Sequence, residues 1–166
     1  MSAFSKSTPR NTTLIDYLML VAQGYQESGL NQGLKNPSRA VGIMQVIPKY
    51  AAAAPILVPD VAIAENNIHA GAKMIRNIAD TYFNDAKLDA MNKTLMVFAS
   101  YNAGPNRIAR LRKQAASEGL DPHVWFGNVE LVVAKGVGQE TVQYVSNIYK
   151  YYVAYKLTLA EAGSKN

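Results

Sequence analysis

Apolar residues recur three or four positions apart along most of the chain, which is the spacing of one buried helical face. The pattern predicts five helices, over residues 14–25, 66–82, 92–101, 106–116 and 139–159. No stretch alternates convincingly between apolar and polar positions as a half-buried strand does. We therefore expect an all-α fold, with at most a minor irregular or β element.

Glycine and polar residues mark the breaks between these helices. Gly29 ends the first helix, and residues 31–39 predict a loop that folds back over its end. Residues 42–47 form a short apolar run that fits a helix and a strand equally well. Asn66 or Asn67 is expected to cap the second helix, because an amide side chain can satisfy free N–H groups there.

Composition predicts one compact domain. The chain has 166 residues, of which 49% are hydrophobic and 17% charged, so it can bury one sizeable core. We expect a single domain over residues 1–166, with residues 1–13 flexible and residues 160–166 forming a frayed tail. No apolar run is long enough to span a membrane. The first six residues lack the apolar core of a secretory signal, so we expect that export is not encoded in this sequence.

Charge and missing motifs narrow the chemistry. The net charge of +5 favours polyanionic partners in general. Four basic residues lie on the outer face of the helix predicted over residues 106–116, and a solvated face is their ordinary explanation, so we expect no nucleic-acid partner. These residues are Arg107, Arg110, Arg112 and Lys113. His69 and His123 are far apart, cysteine is absent, and no phosphate-loop or nucleophile-elbow motif occurs, so we expect neither a metal nor a cofactor.

Glu27 is the residue whose setting points to chemistry. It lies at the C-terminal edge of the first apolar helical face, where the chain enters a polar, glycine-containing loop. A carboxyl group in such a place can be held protonated by partial burial, which suits it to acid catalysis. Amide and aromatic residues that can accompany it occur in three blocks: Glu27-Ser28 with Gly42, Met44 and Gln45, then residues 99–105, then residues 140–144.

In this order, the three blocks resemble those of the lytic transglycosylases of the soluble-transglycosylase, goose-type-lysozyme-like superfamily (glycoside hydrolase family 23). Residues 122–152 resemble more narrowly the catalytic module of the membrane-bound lytic transglycosylase F proteins. The resemblance implies a lysozyme-like globular domain with a substrate cleft. It also implies that peptidoglycan glycan strands are the partner.

The resemblance makes Glu27 the sole catalytic acid and base. Most glycosidases use two carboxylates, whereas this family is expected to cleave the β-1,4 bond between N-acetylmuramic acid and N-acetylglucosamine with one. The muramic 6-hydroxyl then closes on its own anomeric carbon and leaves a 1,6-anhydro sugar without consuming water. We expect burial beside Met44 and Tyr101 to raise the pKa of Glu27 by desolvation.

The same resemblance assigns the supporting residues. Gln45 matches an amide in the substrate cleft, and Tyr101 and Asn102 match a pair that holds the sugar and orients the catalytic carboxyl. Glu140 matches an acidic substrate-binding residue, with Tyr144 one helical turn beyond it. Simpler readings exist for each, and for Glu140 a favourable place at the start of its own helix is as good an explanation.

One stretch departs from the family pattern. The family often reads Ser-Pro-x-Gly-Ala where this chain has Asn36, Pro37, Ser38, Arg39 and Ala40. Asn36 can still donate and accept hydrogen bonds, so we keep it as a substrate-binding candidate. Arg39 in place of glycine removes backbone freedom and adds a charge that can reach the acidic stem peptides of the cell wall.

Two other functions stay open. A lysozyme-like hydrolase of the same fold needs a second carboxylate to activate water, and Asp60 and Glu65 are the candidates. A non-catalytic peptidoglycan-binding module would keep the cleft and lose turnover. The resemblance places any of these in the periplasm, associated with the outer membrane through further parts of a larger, membrane-anchored protein.

Overall fold

The structure is a computed structural model that describes residues 16–164, and these residues form seven α-helices and no β-strand. The all-α prediction is confirmed. Isolated antiparallel bridges, Lys35 with Val41 and Val41 with Val46, are the only β-like pairings among the described residues. The helices are α1 (Tyr17–Ser28), α2 (Pro48–Ala52), α3 (Ala64–Tyr82), α4 (Ala90–Ala103), α5 (Pro105–Ser117), α6 (Glu130–Gly136) and α7 (Gln139–Gly163).

The five predicted helices correspond to α1, α3, α4, α5 and α7, with shifted ends. Helix α3 begins at Ala64, so Asn66 and Asn67 lie inside it and the prediction that one of them caps it is wrong. The pattern missed α2 and α6, which have only 5 and 7 residues. A short run of this length carries too few turns for a periodic signal.

By their contacts the described residues divide into two compact units, the first made of residues 16–74 and 147–164 and the second of residues 75–146. The single domain predicted over residues 1–166 stays a prediction. Residues 1–13, predicted to be flexible, lie outside the described part of the chain, as do residues 165 and 166. Residues 160–163 of the predicted tail belong to α7.

Helix α1 is capped at both ends. The Asp16 side chain accepts a hydrogen bond from the backbone N–H of Leu18 at 3.0 Å, as expected of an N-cap. At the other end Gly29 adopts φ 63°, and its N–H donates to the carbonyl of Tyr25 at 2.8 Å. This left-handed glycine ends the helix. Glu27 therefore lies in the last turn of α1.

The segment from Gly42 to Val46 is a tight turn, which settles the ambiguity of its sequence pattern. Asn67 of α3 is fully buried and holds this turn: its Oδ1 accepts from the N–H of Met44 at 2.8 Å, and its Nδ2 donates to the carbonyl of Val41 at 2.9 Å. The same Nδ2 lies 3.0 Å from the carbonyl of Val61. The asparagine side chain thus adds hydrogen-bond partners for backbone groups that lie outside any helix.

A cluster of charged side chains links separate segments of the second unit. Arg112 of α5 donates to the Asp85 carboxylate at 2.8 Å, and the His123 ring lies 3.1 Å from the same oxygen. Hydrogen bonds, first from the backbone N–H of Lys87 and then from Arg112, hold the pKa of Asp85 down at about 2. This cluster ties the turn that precedes α4 to α5, and α4 is the helix that ends in Tyr101 and Asn102.

Among residues 16–164, none of the helices combines the length and the apolar character needed to cross a membrane. Nor do His, Asp and Glu side chains in that range gather in a group of three or more that is suited to a metal ion.

Candidate active site

Glu27 is half-buried at the next-to-last position of α1. The following residue, Ser28, anchors this end of the helix: its Oγ donates to the carbonyl of Ile43 at 2.9 Å and also lies 3.1 Å from the carbonyl of Gly24. The same oxygen accepts from the N–H of Asn31 at 3.1 Å. One hydroxyl thus joins the helix end, the turn after it and the turn at residues 42–46.

Gln45 lies in that turn, half-buried and with φ 47°. Its Nε2 donates to the carbonyl of Gly42 at 2.9 Å and lies 3.3 Å from the carbonyl of Leu34. The left-handed backbone is costly for a residue with a side chain, and these hydrogen bonds offset part of that cost. The structure therefore keeps Gln45 and Glu27 in one unit and links their two segments through Ser28.

Met44 lies behind this turn. Its side chain is 0% exposed, and it fills the space beside Gly71, where an added Cβ would come within 2.8 Å of the Met44 side chain. Such complete burial means that Met44 supports the turn from the core. A direct contact between Met44 and a substrate stays a prediction.

Asn36 is exposed at the tip of the loop that precedes the turn. Its Oδ1 accepts from the N–H of Ser38 at 3.0 Å, while its N–H donates to the carbonyl of Ala40 at 2.9 Å. Arg39 adopts φ 70°, so the chain keeps the left-handed conformation at a position where the family often has glycine. Asn36 thus shapes the loop through a local turn, as its residue type favours.

The second and third blocks meet in the second unit. Tyr101 is half-buried and Asn102 exposed in the last turn of α4, and Glu140 is exposed in the first turn of α7. Thr141 joins the two helix ends, because its Oγ1 donates to Oδ1 of Asn102 at 2.8 Å. Tyr144 is only 5% exposed. The second and third blocks are therefore in direct contact through the hydrogen bond between Thr141 and Asn102.

The candidate residues form two groups, each within one compact unit. Glu27, Asn36, Met44 and Gln45 belong to the first unit, while Tyr101, Asn102, Glu140 and Tyr144 belong to the second. Their assembly into one substrate cleft stays a prediction. Asp60 and Glu65, the candidates for a second catalytic carboxylate, are exposed residues of the first unit.

Sequence reasoning gave no role at the site to four residues that hold these groups in place. Ser28 and Thr141 directly follow Glu27 and Glu140, and this adjacency to two candidate site residues is the sequence signal that could have identified them. No sequence signal identified the roles of Gln32 and Asn67, because each side chain hydrogen-bonds backbone groups that are distant in sequence. Gln32 Nε2 donates to the carbonyls of Val61 and Ala62, both at 3.0 Å, and its Oε1 accepts from Ile43 N–H at 3.1 Å.

Replacing Ser28 with alanine is expected to lower the free energy of unfolding by about 1 kcal/mol, since the Ile43 carbonyl and the Asn31 N–H lose their partner. Urea unfolding followed by circular dichroism measures the loss. Ser117→Ala is the matched control, since the Ser117 hydroxyl bonds only its own helix, at the carbonyl of Gln114; equal effects of the two variants would contradict the bridging role.

Comparison with known proteins adds two findings. Residues 2–123 match the family described as Transglycosylase SLT domain. The chain is 28% identical over 151 residues to the membrane-bound lytic murein transglycosylase F of Pseudomonas syringae pv. tomato, covering 83% of this chain and 30% of that protein. The proteins of the same description from Shewanella woodyi and Thiobacillus denitrificans are each 28% identical over 151 residues, with 83% of this chain and 31% of theirs covered. The chain thus spans about 30% of the length of these curated relatives.

Proposed function

The chain belongs to the Transglycosylase SLT domain family, and from this membership we propose that it is a peptidoglycan lytic transglycosylase with Glu27 as its catalytic acid and base. The observation that carries the proposal is the setting of Glu27. The half-buried carboxyl group of Glu27 lies in the last turn of α1, and Ser28 ties the end of that helix to the turn that carries Gln45. General acid catalysis needs a proton donor held in place by its surroundings, and this setting supports that role for Glu27.

The proposed reaction breaks one bond and forms another without adding water. The Glu27 carboxyl gives its proton to the glycosidic oxygen, and the bond between this oxygen and the anomeric carbon of N-acetylmuramic acid breaks. The resulting carboxylate takes the proton of the muramic 6-hydroxyl, whose oxygen attacks the same anomeric carbon. Glu27 is thereby reprotonated, and the products are a 1,6-anhydromuramic end and a free N-acetylglucosamine end.

The other candidates supply positioning. Gln45 is proposed to hydrogen-bond the sugar from the first unit, with Asn36 on the neighbouring loop. Tyr101 and Asn102 are proposed to hold the sugar from the second unit. The Thr141 hydroxyl donates to Oδ1 of Asn102 and so orients the amide, whose Nδ2 is proposed to donate to a ligand. Glu140 is proposed to accept hydrogen bonds from substrate hydroxyl or amide groups.

The mass of the products tests the proposal. Digestion of purified sacculi should release muropeptides with anhydro ends, each lighter by one water than the reducing-end product of a lysozyme. Mass spectrometry of the digest distinguishes the two. Reducing ends alone would overturn the transglycosylase in favour of a hydrolase, and tight binding to sacculi without any release would favour a binding module.

We further propose that the reaction takes place in the periplasm. The relatives are described as membrane-bound murein transglycosylases, and their substrate lies outside the cytoplasm. Attachment to the outer membrane is proposed to come from parts of a longer protein, since the membrane-bound relatives are about three times as long as the stretch that this chain matches. Cell fractionation of the full-length protein tests this location.

A further inference from the structure

A concave site lies in the first unit, beside the turn at residues 42–46. It is a cavity of about 570 Å³, within the roughly 300–1,000 Å³ typical of ligand pockets. Most of its surface is apolar or backbone, and two charged side chains stand on its wall. The lining residues used below are Gln32, Lys35, Val41, Asp60, Val61 and Ala62.

Hydrogen bonds hold the walls of this cavity in place. Gln32 donates to the carbonyls of Val61 and Ala62, both at 3.0 Å, which ties one wall to the other. Val41 exchanges two backbone hydrogen bonds with Val46, at 2.9 and 3.1 Å. A cavity built in this way exists before a ligand arrives, so binding need not order its walls.

The two charges of the cavity are opposite and uncommitted. Lys35 and Asp60 are exposed, and neither takes part in an ion pair with any residue in the described range 16–164. A purely anionic ligand would be repelled by Asp60, and a purely cationic one by Lys35. The pair favours a ligand that carries both a carboxylate and an ammonium group.

The cavity shares a structural element with the end of the catalytic helix. Val41 leads directly into the turn at residues 42–46, and the Ile43 carbonyl of that turn accepts from Ser28, the neighbour of Glu27. Gln45 of the same turn reaches the Leu34 carbonyl, one residue before Lys35. Any ligand that moves this turn therefore acts on the segment that carries Gln45.

Resting on the proposed function, we propose that this cavity is a subsite for the stem peptide of peptidoglycan. The peptide branches from N-acetylmuramic acid, the sugar whose bond is cut, so it leaves the glycan close to the reacting centre. Its residues include free carboxylates and, where the diamino acid is not cross-linked, a free ammonium. Lys35 binds a carboxylate of the peptide, and Asp60 binds the ammonium.

Kinetics on two substrates test the assignment. Lys35→Gln and Asp60→Asn should each raise KM about tenfold on peptide-bearing strands, and Lys35→Gln should leave kinetics unchanged on strands whose peptides an amidase has removed. A tenfold change corresponds to about 1.4 kcal/mol of binding. Lys49→Gln and Glu161→Gln are the controls, because both are exposed residues of the first unit outside the cavity lining. Equal losses on both substrates would overturn the subsite and assign the cavity to the glycan.

A direct binding experiment separates this proposal from the function it rests on. The free tripeptide of alanine, γ-linked glutamate and diaminopimelate should shift NMR signals of Val41 and Val61 in the wild-type protein, and acetylation of its amino groups should weaken binding. Asp60→Asn should remove that sensitivity to acetylation. Absence of any tripeptide binding overturns the subsite even if sacculi are cleaved. If sacculi are not cleaved, the proposed function fails, and tripeptide binding still decides what the cavity holds.

Discussion

Replacing Glu27 with glutamine is expected to abolish the release of anhydro-muropeptides, with a loss of kcat of about a thousandfold or more. Positioned acid–base catalysis contributes about 10²–10⁴-fold, and here one carboxyl group is proposed to serve as both acid and base. The glutamine amide keeps the size and hydrogen-bonding capacity of the side chain but neither gives up a proton nor takes one. Timed digestion of sacculi with product quantification by mass spectrometry measures the loss.

A suitable control replaces another glutamate with glutamine at a position that the fold does not need. Glu161→Gln removes an exposed carboxylate near the end of α7 and should leave the rate unchanged. Circular dichroism should show that both variants keep the helical fold. A Glu27→Gln protein that still cleaves sacculi at a tenth of the wild-type rate would show that another group supplies the proton.

The helices that the sequence predicted are those with several turns and marked ends. Helix α4 illustrates this: an Asp89 cap accepts from Asn92 N–H at 2.7 Å, and Gly104 closes the C-terminal end with φ 97°. Both signals are local, and local signals can be read from neighbouring residues. By contrast, the turn at residues 42–46 depends on Asn67, 23 positions from Met44. No pattern within a short window contains that partner.

The candidate site divides in the same way. The motif blocks placed Asn102 and Glu140 together, and the hydrogen bond from Thr141 to Asn102 spans 39 positions of sequence. The family resemblance supplied that long-range information, because spacing alone could not. Met44 needs such information too: its motif predicts that it walls a pocket, which stays a prediction, and the structure adds that its side chain is completely buried. Which face of a short turn meets the core is set by tertiary packing.

Replacing Gly42 with alanine is expected to lower the free energy of unfolding by about 2–5 kcal/mol. Gly42 has φ 78°, a left-handed conformation that costs other residues about 1–2 kcal/mol. An added Cβ would also lie 2.7 Å from Cγ of Asn67 and 2.7 Å from Nε2 of Gln32. Moving the buried Asn67 amide breaks its hydrogen bonds, which costs about 1–3 kcal/mol more. Urea unfolding followed by circular dichroism measures the loss.

Gly119→Ala isolates the backbone part of this effect. Gly119 has φ 80°, close to that of Gly42, and an added Cβ there meets nothing within 4 Å. The Gly119→Ala variant should therefore lose only about 1–2 kcal/mol of stability, the cost of placing alanine in the left-handed conformation. The double variant Gly42→Ala, Asn67→Ala should lose less free energy of unfolding than the two single variants together, since removing the Asn67 amide also removes its clash with the added Cβ. Equal losses for Gly42→Ala and Gly119→Ala would mean that Asn67 and Gln32 yield freely, and the turn that carries Gln45 would then not be rigidly held.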